Sequence, residues 1–520
     1  MSRNVVSKFK HNFNGQNIEK LSQGSYGIIY KGNFTGVTGA NQVVKRNIID
    51  VTTSFSGSIR EMDVLVTLHG HPNIIKLESV MLGFPCKEGL LSPLSVDEYK
   101  DDLIHFVFET ATCDLAQLIS RERLTYHEIR YLICDILVGC EYMHISGYFH
   151  RDLKTPNLLV FPAELGKIGR RHIKICDFGL SKPYCQSGLN TPKVVTGWYR
   201  APDVCSGSTS YGCEIDSWSI GCIFYELLTR EPLCNGCDDD DLILMTKICT
   251  KIPVDCFIPK PDIKILESLV QGIPYDIFTE QLRFRNTLEA ECGTTSKKHI
   301  IDILTGLLKV SPEGRISPTK ALESPFFDPI RHEFEPLRQS YLAKIKNLKD
   351  EMYFITDCPE RKVTTNIAFN IFNLRTQFFW YKHRILFQAV SLMDRYLKWK
   401  KDNNHDKPHS EDGTILRFLV CIYASFKFFT TIDVTIIPFE EFATENYRNS
   451  ESVTFAEQFE RLLIEKILKY KFYLPTPFEV ISETLGKKLT EAETCRILSK
   501  YGQMTTFEGT ISRLSSICED

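Results

Sequence analysis

The sequence predicts an α+β protein in which a small β-rich lobe precedes a larger helical lobe and an all-α region follows. Three observations predict it. Between about Ile18 and Leu82, short β-like runs ("GIIYKG", "NQVVKRNI") lead into one helix-periodic stretch. From about Asp114 to Phe327 helical periodicity dominates, with two short apolar strands, "LLVF" and "IKIC", on either side of a turn. Helix-sized segments rich in Phe and Tyr then recur around 363–376, 379–399, 414–428 and 454–471. Between the last two regions, "EPLRQSYLAKIKNLKDEMYFI" is charged and helix-prone, as a connector should be.

The composition fits this organisation. With 520 residues, 43% of them hydrophobic and 24% charged, the chain has the balance of a soluble globular protein and length for two or three cores. A net charge of -3 excludes bulk electrostatic attraction to nucleic acid or to a membrane surface. The 18 cysteines are scattered through apolar runs, which points to a reducing, intracellular compartment. Cys234 and Cys237 have zinc-ligand spacing but no second matched pair nearby, and the aspartates after them are expected to open a helix. The opening "MSRNVVSKFKHNF" lacks the apolar core of a signal peptide.

The β-rich lobe carries the first chemical signal. "LSQGSYGIIYKG" reads as a β-hairpin turn in which Gly24 and Gly27 let backbone amides approach phosphate oxygens. Glycine turns are common, so this motif alone is weak. Further on, "VVKR" sets Lys45 in an apolar strand, where an unpaired ammonium is costly and an anionic partner is required. Glu61, on the following helix "FSGSIREMDVLVTL", is the candidate.

The helical lobe adds "GYFHRDLKTPNLLV", which puts Asp152, Lys154 and Asn157 in one loop. An aspartate accepts a hydroxyl proton, a lysine neutralises a phosphoryl group, and an asparagine oxygen coordinates magnesium. "IKICDFGLSK" then ends a strand at Asp177, a second hard-oxygen ligand. Any one of these is an ordinary polar turn; the set in this order is not.

With these motifs the chain resembles the eukaryotic protein kinase family over residues 18–330, which implies a bilobal kinase fold, ATP and Mg2+ as cofactors, and protein substrates. By that resemblance Lys45 and Glu61 pair to hold the nucleotide phosphates, Asp152, Lys154 and Asn157 are catalytic, and Asn157 and Asp177 hold the metal. Ser22, Gln23, Gly24, Ser25, Tyr26, Gly27 and Ile29 form the loop above the phosphates, with Ser22 where the family usually has glycine. The hinge falls at Glu109 to Ala111, after Phe108. Asp203 in "RAPD" replaces a usual glutamate and is expected to meet Arg315, while Asp216 matches the family's structural aspartate. Lys154 and Thr196 are similar to the serine/threonine branch.

"FSGSIRE" is similar to the "PSTAIRE" helix of cyclin-dependent kinases. That resemblance implies a switch in which a cyclin packing on the helix brings Glu61 to Lys45. It also makes Thr191 a regulatory phosphorylation position faced by Arg60, Arg151 and Lys182, the last in place of an arginine. Lysine binds phosphate as a point charge without arginine's fork. Ser25 and Tyr26 take the positions of inhibitory phosphates, and Val195 and Arg200 those of a pocket for proline after the acceptor. Finally, "RILFQAVSLMDRYLKWK", "LVCIYASFKFF" and "FERLLIEKILKYKFYLPTPFEVI" resemble the second, third and fifth helices of a cyclin box.

The expected layout is therefore a tail at 1–17, a kinase domain at 18–330, a helical linker at 331–360, a single-box cyclin-like domain at 361–487 and a tail at 488–520. Contact between kinase and cyclin is expected at Ile59, Glu61, Lys427 and either Glu460 or Glu465. The leading expectation is a serine/threonine kinase activated in cis by its own fused cyclin-like domain, an arrangement that resembles fusions of some large DNA viruses. The alternatives are a kinase that still needs a separate cyclin, with the tail as a docking module, and a non-catalytic nucleotide-binding scaffold.

Overall fold

The computed structural model describes residues 15–23, 27–34, 42–47, 54–82, 104–162, 170–183, 197–208, 211–235, 241–252, 286–352, 358–373, 382–403, 408–429, 459 and 462–463. Five strands form an antiparallel sheet in the order β1–β2–β3–β5–β4. They are β1 (Gly15–Gln23), β2 (Gly27–Phe34), β3 (Gln42–Asn47), β4 (Leu77–Leu82) and β5 (Ile104–Phe108). β1 begins three residues before the first periodic residue, because Gly15 is carried into the ladder by pairing with Phe34 rather than by any apolar side chain. The helix α1 (Ser54–Thr67) stands between β3 and β4 in sequence.

Short apolar runs supply the sheet's core, and β5 is buried from His105 to Phe108. Val44 on β3 and Phe106 and Val107 on β5 are fully buried, each worth about 1.5–3 kcal/mol of apolar burial. The register sets Lys45 opposite Ile29 on β2 and Phe106 on β5, so its stem lies among apolar neighbours and only the ammonium needs a partner.

The helical part comprises α2 (Leu115–Arg121), α3 (Tyr126–Ile145), α4 (Pro202–Cys205), α5 (Glu214–Thr229), α6 (Asp241–Lys251), α7 (Asn286–Leu307), α8 (Pro318–Leu322) and α9 (Arg331–Met352). Short strands β6 (Cys113–Asp114), β8 (Leu158–Phe161) and β9 (His172–Ile175) form one small sheet, and β7 (Tyr148–Phe149) pairs with β10 (Lys182–Pro183). α3 starts with a capping box: Glu128 N–H donates to Thr125 Oγ1 at 3.2 Å, and Thr125 N–H donates to Glu128 Oε2 at 2.9 Å. α5 buries Ile215, Trp218, Ile220, Ile223 and Phe224 around its circumference and is a central core helix. The charged connector is helical over Arg331–Met352.

Three more helices follow, α10 (Pro359–Asn373), α11 (Lys382–Asp402) and α12 (Glu411–Phe429), and they pack on one another. Leu386, Phe387, Val390, Met393, Phe418 and Val420 form their core. Two buried ion pairs tie them: Arg361 Nε to Asp394 Oδ1 at 2.8 Å and Lys400 Nζ to Glu360 Oε1 at 2.7 Å. Glu360 is held at about 2, well below its ordinary 4.5, because the Lys400 bond and backbone donors outweigh the cost of burial.

The chain divides into two compact units. One holds β1–β10, α2–α8 and α9 up to Ala343; the other holds α1, the rest of α9 and α10–α12. Within the second unit α1 packs against α12. No helix among the described residues is long and apolar enough to cross a membrane.

Candidate active site

The loop between β7 and β8 is built on Asp216. This residue is fully buried at the start of α5, and its carboxylate takes three donors: His150 N–H at 2.8 Å and His144 Nε2 at 2.9 Å on Oδ2, and Arg151 N–H at 2.9 Å on Oδ1. Burial alone would raise its pKa, but the hydrogen bond and charge of His144 and the donors at His150 hold it below the ordinary value. The anchored amides fix Arg151 at φ 72, a left-handed conformation that costs about 1–3 kcal/mol and persists only where surroundings impose it.

That anchoring delivers the loop's polar groups. Lys154 Nζ donates to Asp152 Oδ2 at 2.7 Å, and Asn157 Nδ2 donates to Asp152 O at 2.8 Å and to its Oδ2 at 3.3 Å. Asn157's amide donors are thus committed to Asp152, which leaves the amide oxygen as its outward acceptor. His150 bridges further: its Nδ1 accepts from Asp152 N–H at 3.2 Å, and its Nε2 lies 3.0 Å from Cys176 O.

Cys176 precedes Asp177, which follows β9 with φ 62, again left-handed. Lys45 Nζ donates to Asp177 Oδ1 at 2.7 Å. Burial pushes the Asp177 carboxyl up, but the Lys45 charge and hydrogen bond more than offset it and hold it below its ordinary value. Asp177 is ionised at neutral pH. The carboxylate of Asp177 and the amide oxygen of Asn157 are hard donors, the chemistry magnesium selects, so these residues fit that ion. Gly27 lets β2 lie close against β3 beside Lys45: a Cβ there would meet Arg46 O at 2.8 Å and Lys45 Cε at 3.2 Å.

The remaining expected residues are placed as follows. Ser22 and Gln23 are exposed at the end of β1, opposite Ile29 and Ile28. Glu109 and Ala111 are half-buried after β5, and Glu109's carboxylate accepts Lys174 Nζ at 2.6 and 2.8 Å and Lys76 N–H at 2.8 Å. Its side chain is therefore committed to the fold. Asp203 meets Arg315 at 2.9 Å, with Arg315 fully enclosed. Arg151 and Lys182 are buried; Arg151 Nη2 donates to Tyr211 Oη at 3.0 Å, while its buried Nε has no hydrogen-bond partner among the described residues. Arg200 is paired with Asp241 at 2.6 Å. Arg60 and Glu61 are buried on α1, which also carries Ile59, and Lys427 lies on α12. Gly24, Ser25, Tyr26, Thr191, Val195, Thr196, Cys237, Glu460 and Glu465 lie outside the described residues.

Sequence reasoning missed several supports. Thr155 Oγ1 lies 2.9 Å from Tyr199 Oη, which donates to Glu226 Oε2 at 2.7 Å, tying the Asp152 loop to the turn at Gly197–Tyr199. Cys140 Sγ, His144 Nε2 and Asp216 Oδ2 gather within 4.8 Å of one another. The four-residue spacing of Cys140 and His144 on α3 was the available signal.

A lysine paired with a strand-terminal aspartate, beside an aspartate–lysine–asparagine loop locked from below, defines a phosphoryl-transfer domain of the protein kinase type. The family model "Protein kinase domain" matches residues 16–327, and the chain belongs to that family. Its relatives fall in the group of cyclin-dependent and mitogen-activated kinases. It is 30% identical to Cyclin-dependent kinase 12 of Caenorhabditis elegans over 62% of this chain and 42% of that one. It is 32% identical to the Serine/threonine-protein kinase ppk23 of Schizosaccharomyces pombe over 60% of this chain and 71% of that one. Mitogen-activated protein kinase 4 of Oryza sativa subsp. japonica is also 32% identical, over 60% and 78%. The chain thus spans less than half the length of the first of these relatives.

Proposed function

We propose that the protein is an ATP-dependent serine/threonine kinase of the cyclin-dependent kind, directed to acceptors followed by proline and activated in cis by its C-terminal helical region. The observation that carries the catalytic reading is the Lys45–Asp177 pair at 2.7 Å beside the Asp216-locked loop of Asp152, Lys154 and Asn157. In this reading Asp152 accepts the proton of the substrate hydroxyl as its oxygen bonds to the γ-phosphorus and the bond to the β-phosphate oxygen breaks, releasing ADP. Lys154 offsets charge on the transferring group, and Lys45 holds the nucleotide phosphates. Asn157 and Asp177 would hold magnesium, which when bound neutralises phosphate charge.

Activation in cis is supported by the helix that bears Arg60 and Glu61: α1 belongs to the same compact unit as α10–α12 and packs against α12, where Lys427 lies. A tethered activator acts at an effective concentration near the millimolar range, so a modest contact set is sufficient. The cyclin-like domain at 361–487, its single box, and phosphorylation at Thr191 belong to this proposal. The buried Nε of Arg151, without a hydrogen-bond partner among the described residues, supports an anion near Arg151 and Lys182.

The test is phosphorylation of a proline-directed peptide by the purified chain with labelled ATP and no added cyclin. Asp177→Asn is expected to lower turnover at least about a thousandfold. Truncation after about residue 350 is expected to collapse activity. Activity near the parent's in Asp177→Asn would overturn the site, and an equally active truncated chain would overturn activation in cis. Rescue of an inactive full chain by added cyclin would favour the docking-module reading.

A further inference from the structure

The charged connector is more than a tether. Phe334, Arg338 and Tyr341 lie at i, i+4 and i+7 on one face of α9, and that face is anchored to the first unit. Arg338 grips the buried Glu141 of α3 through two bonds, at 2.5 and 2.6 Å. Tyr341 Oη donates to Gly70 O at 2.9 Å. The His71 ring stacks on Tyr142 at 4.4 Å and meets Tyr341 at 4.6 Å, so it is held between α3 and α9.

The loop so held leads directly to the metal-ligand strand. His71 Nδ1 accepts from Asn73 N–H at 3.1 Å, and Asn73 Nδ2 donates to Ile173 O at 3.0 Å. Ile175 N–H donates to Asn73 O and Ile75 N–H donates to Ile175 O, both at 2.9 Å. These bonds make the His71 loop an edge of β9, whose next residues are Cys176 and Asp177. Gly139 on α3 permits this approach, since a Cβ there would meet Asn73 O at 2.9 Å. Asp177 sits at φ 62, a conformation that persists only while neighbouring structure over-determines it.

We propose that Arg338 and Tyr341 are positioning residues: by pinning the Gly70–Ile75 loop against β9, the connector helix sets the placement of Asp177 and with it the affinity for the divalent cation. The inference rests on the reading of Asp177 as a metal ligand. It gives the connector a role separate from any contact made by the helices after it, because truncation after residue 350 leaves Arg338 and Tyr341 in place.

The experiment compares the full chain with Arg338→Ala/Tyr341→Ala and with Tyr341→Phe, which keeps the ring and removes only the donor to Gly70 O. Mn2+ binding in the presence of ADP is read by electron paramagnetic resonance, ADP binding without metal by calorimetry, and amide exchange at Ile75 and Ile175 in metal-free protein. The double variant is expected to weaken Mn2+ roughly tenfold, within the range seen for residues that act through packed neighbours. Exchange at Ile75 and Ile175 should quicken, and metal-free ADP affinity should hold. Tyr341→Phe should weaken Mn2+ about threefold. A double variant with a lower melting temperature but unchanged Mn2+ affinity would show a merely structural strut and overturn the proposal. If the double variant does not fold, an unchanged Mn2+ affinity in Tyr341→Phe overturns it equally. Asp177→Asn separates the two readings: if it binds Mn2+ as the parent does, the metal-ligand assignment itself fails.

Discussion

Asp216→Asn isolates what the buried carboxylate does for the catalytic loop. The substitution keeps the shape of the side chain but turns one of two acceptor oxygens into a donor. Oδ2 serves two partners and Oδ1 one, so the less costly orientation keeps the oxygen towards His144 and His150 and turns the NH2 towards Arg151 N–H. A buried N–H then loses its acceptor, costing about 1–3 kcal/mol, and the other two bonds drop from charged to neutral acceptors, about 1 kcal/mol each. The sum is about 3–5 kcal/mol, which for a domain of this class lowers the melting temperature on the order of 10 °C. Without its acceptor, Arg151 is released from its left-handed φ of 72, the Asp152 loop shifts, and turnover falls roughly ten- to a hundredfold. The parent should also carry a pH signature. The carboxyl is depressed below 3.8 in the folded state, so its stabilisation is complete above that value and fades as pH falls through the folded pKa. Differential scanning calorimetry between about pH 3 and 7, with a peptide phosphorylation assay at pH 7, measures both. A melting temperature within about 1 °C of the parent's, with parental turnover, would refute the account of the loop.

Three further outcomes test other parts of the chain. Gly27→Ala places a methyl group 2.8 Å from Arg46 O, and is expected to raise the KM for ATP roughly tenfold while leaving the peptide KM unchanged, in steady-state kinetics. Thr191→Ala should lower activity after exposure to an activating kinase without altering nucleotide binding; equal peptide phosphorylation by the two proteins would remove Thr191 from the regulatory set. Arg361→Met leaves Asp394 buried without that cation and is expected to cost about 3–5 kcal/mol in urea unfolding, much of it recovered in Arg361→Met/Asp394→Leu.

The parts of the fold legible in the sequence were those governed by local periodicity and by short motifs. Val44, Phe106 and Val107 stand in short apolar runs of the kind a buried sheet requires, and the Asp152–Asn157 loop and Asp177 are readable because their motifs lie within a few residues. The partner of Lys45 illustrates the boundary. A lysine in an apolar strand demanded an anion, which the sequence could state, and one bond the structure provides runs to Asp177, 132 residues away and outside any local window. Only the strand register, which sets Lys45 opposite Phe106 and Ile29, aims the ammonium there.

The supports were less legible for the same physical reason. Glu141 and Arg338 are separated by 197 residues, and each reads in its own helix as one charge among many, Arg338 in a stretch dense with Arg, Lys and Glu. A surface charge contributes little to stability, so nothing in a charged connector distinguishes an arginine bound to a buried carboxylate from one bathed in water. Burial makes the difference: Glu141 is 2% exposed, and removing its partner would strand a carboxylate inside the protein. The same holds for His71, which no motif in the sequence singles out and whose ring is enclosed by Tyr142 of α3 and Tyr341 of α9. In this chain the residues proposed to do the chemistry announce themselves by type and spacing. The residues that hold them are defined by which helix face is buried against which loop, and that depends on tertiary packing that no short window of sequence contains.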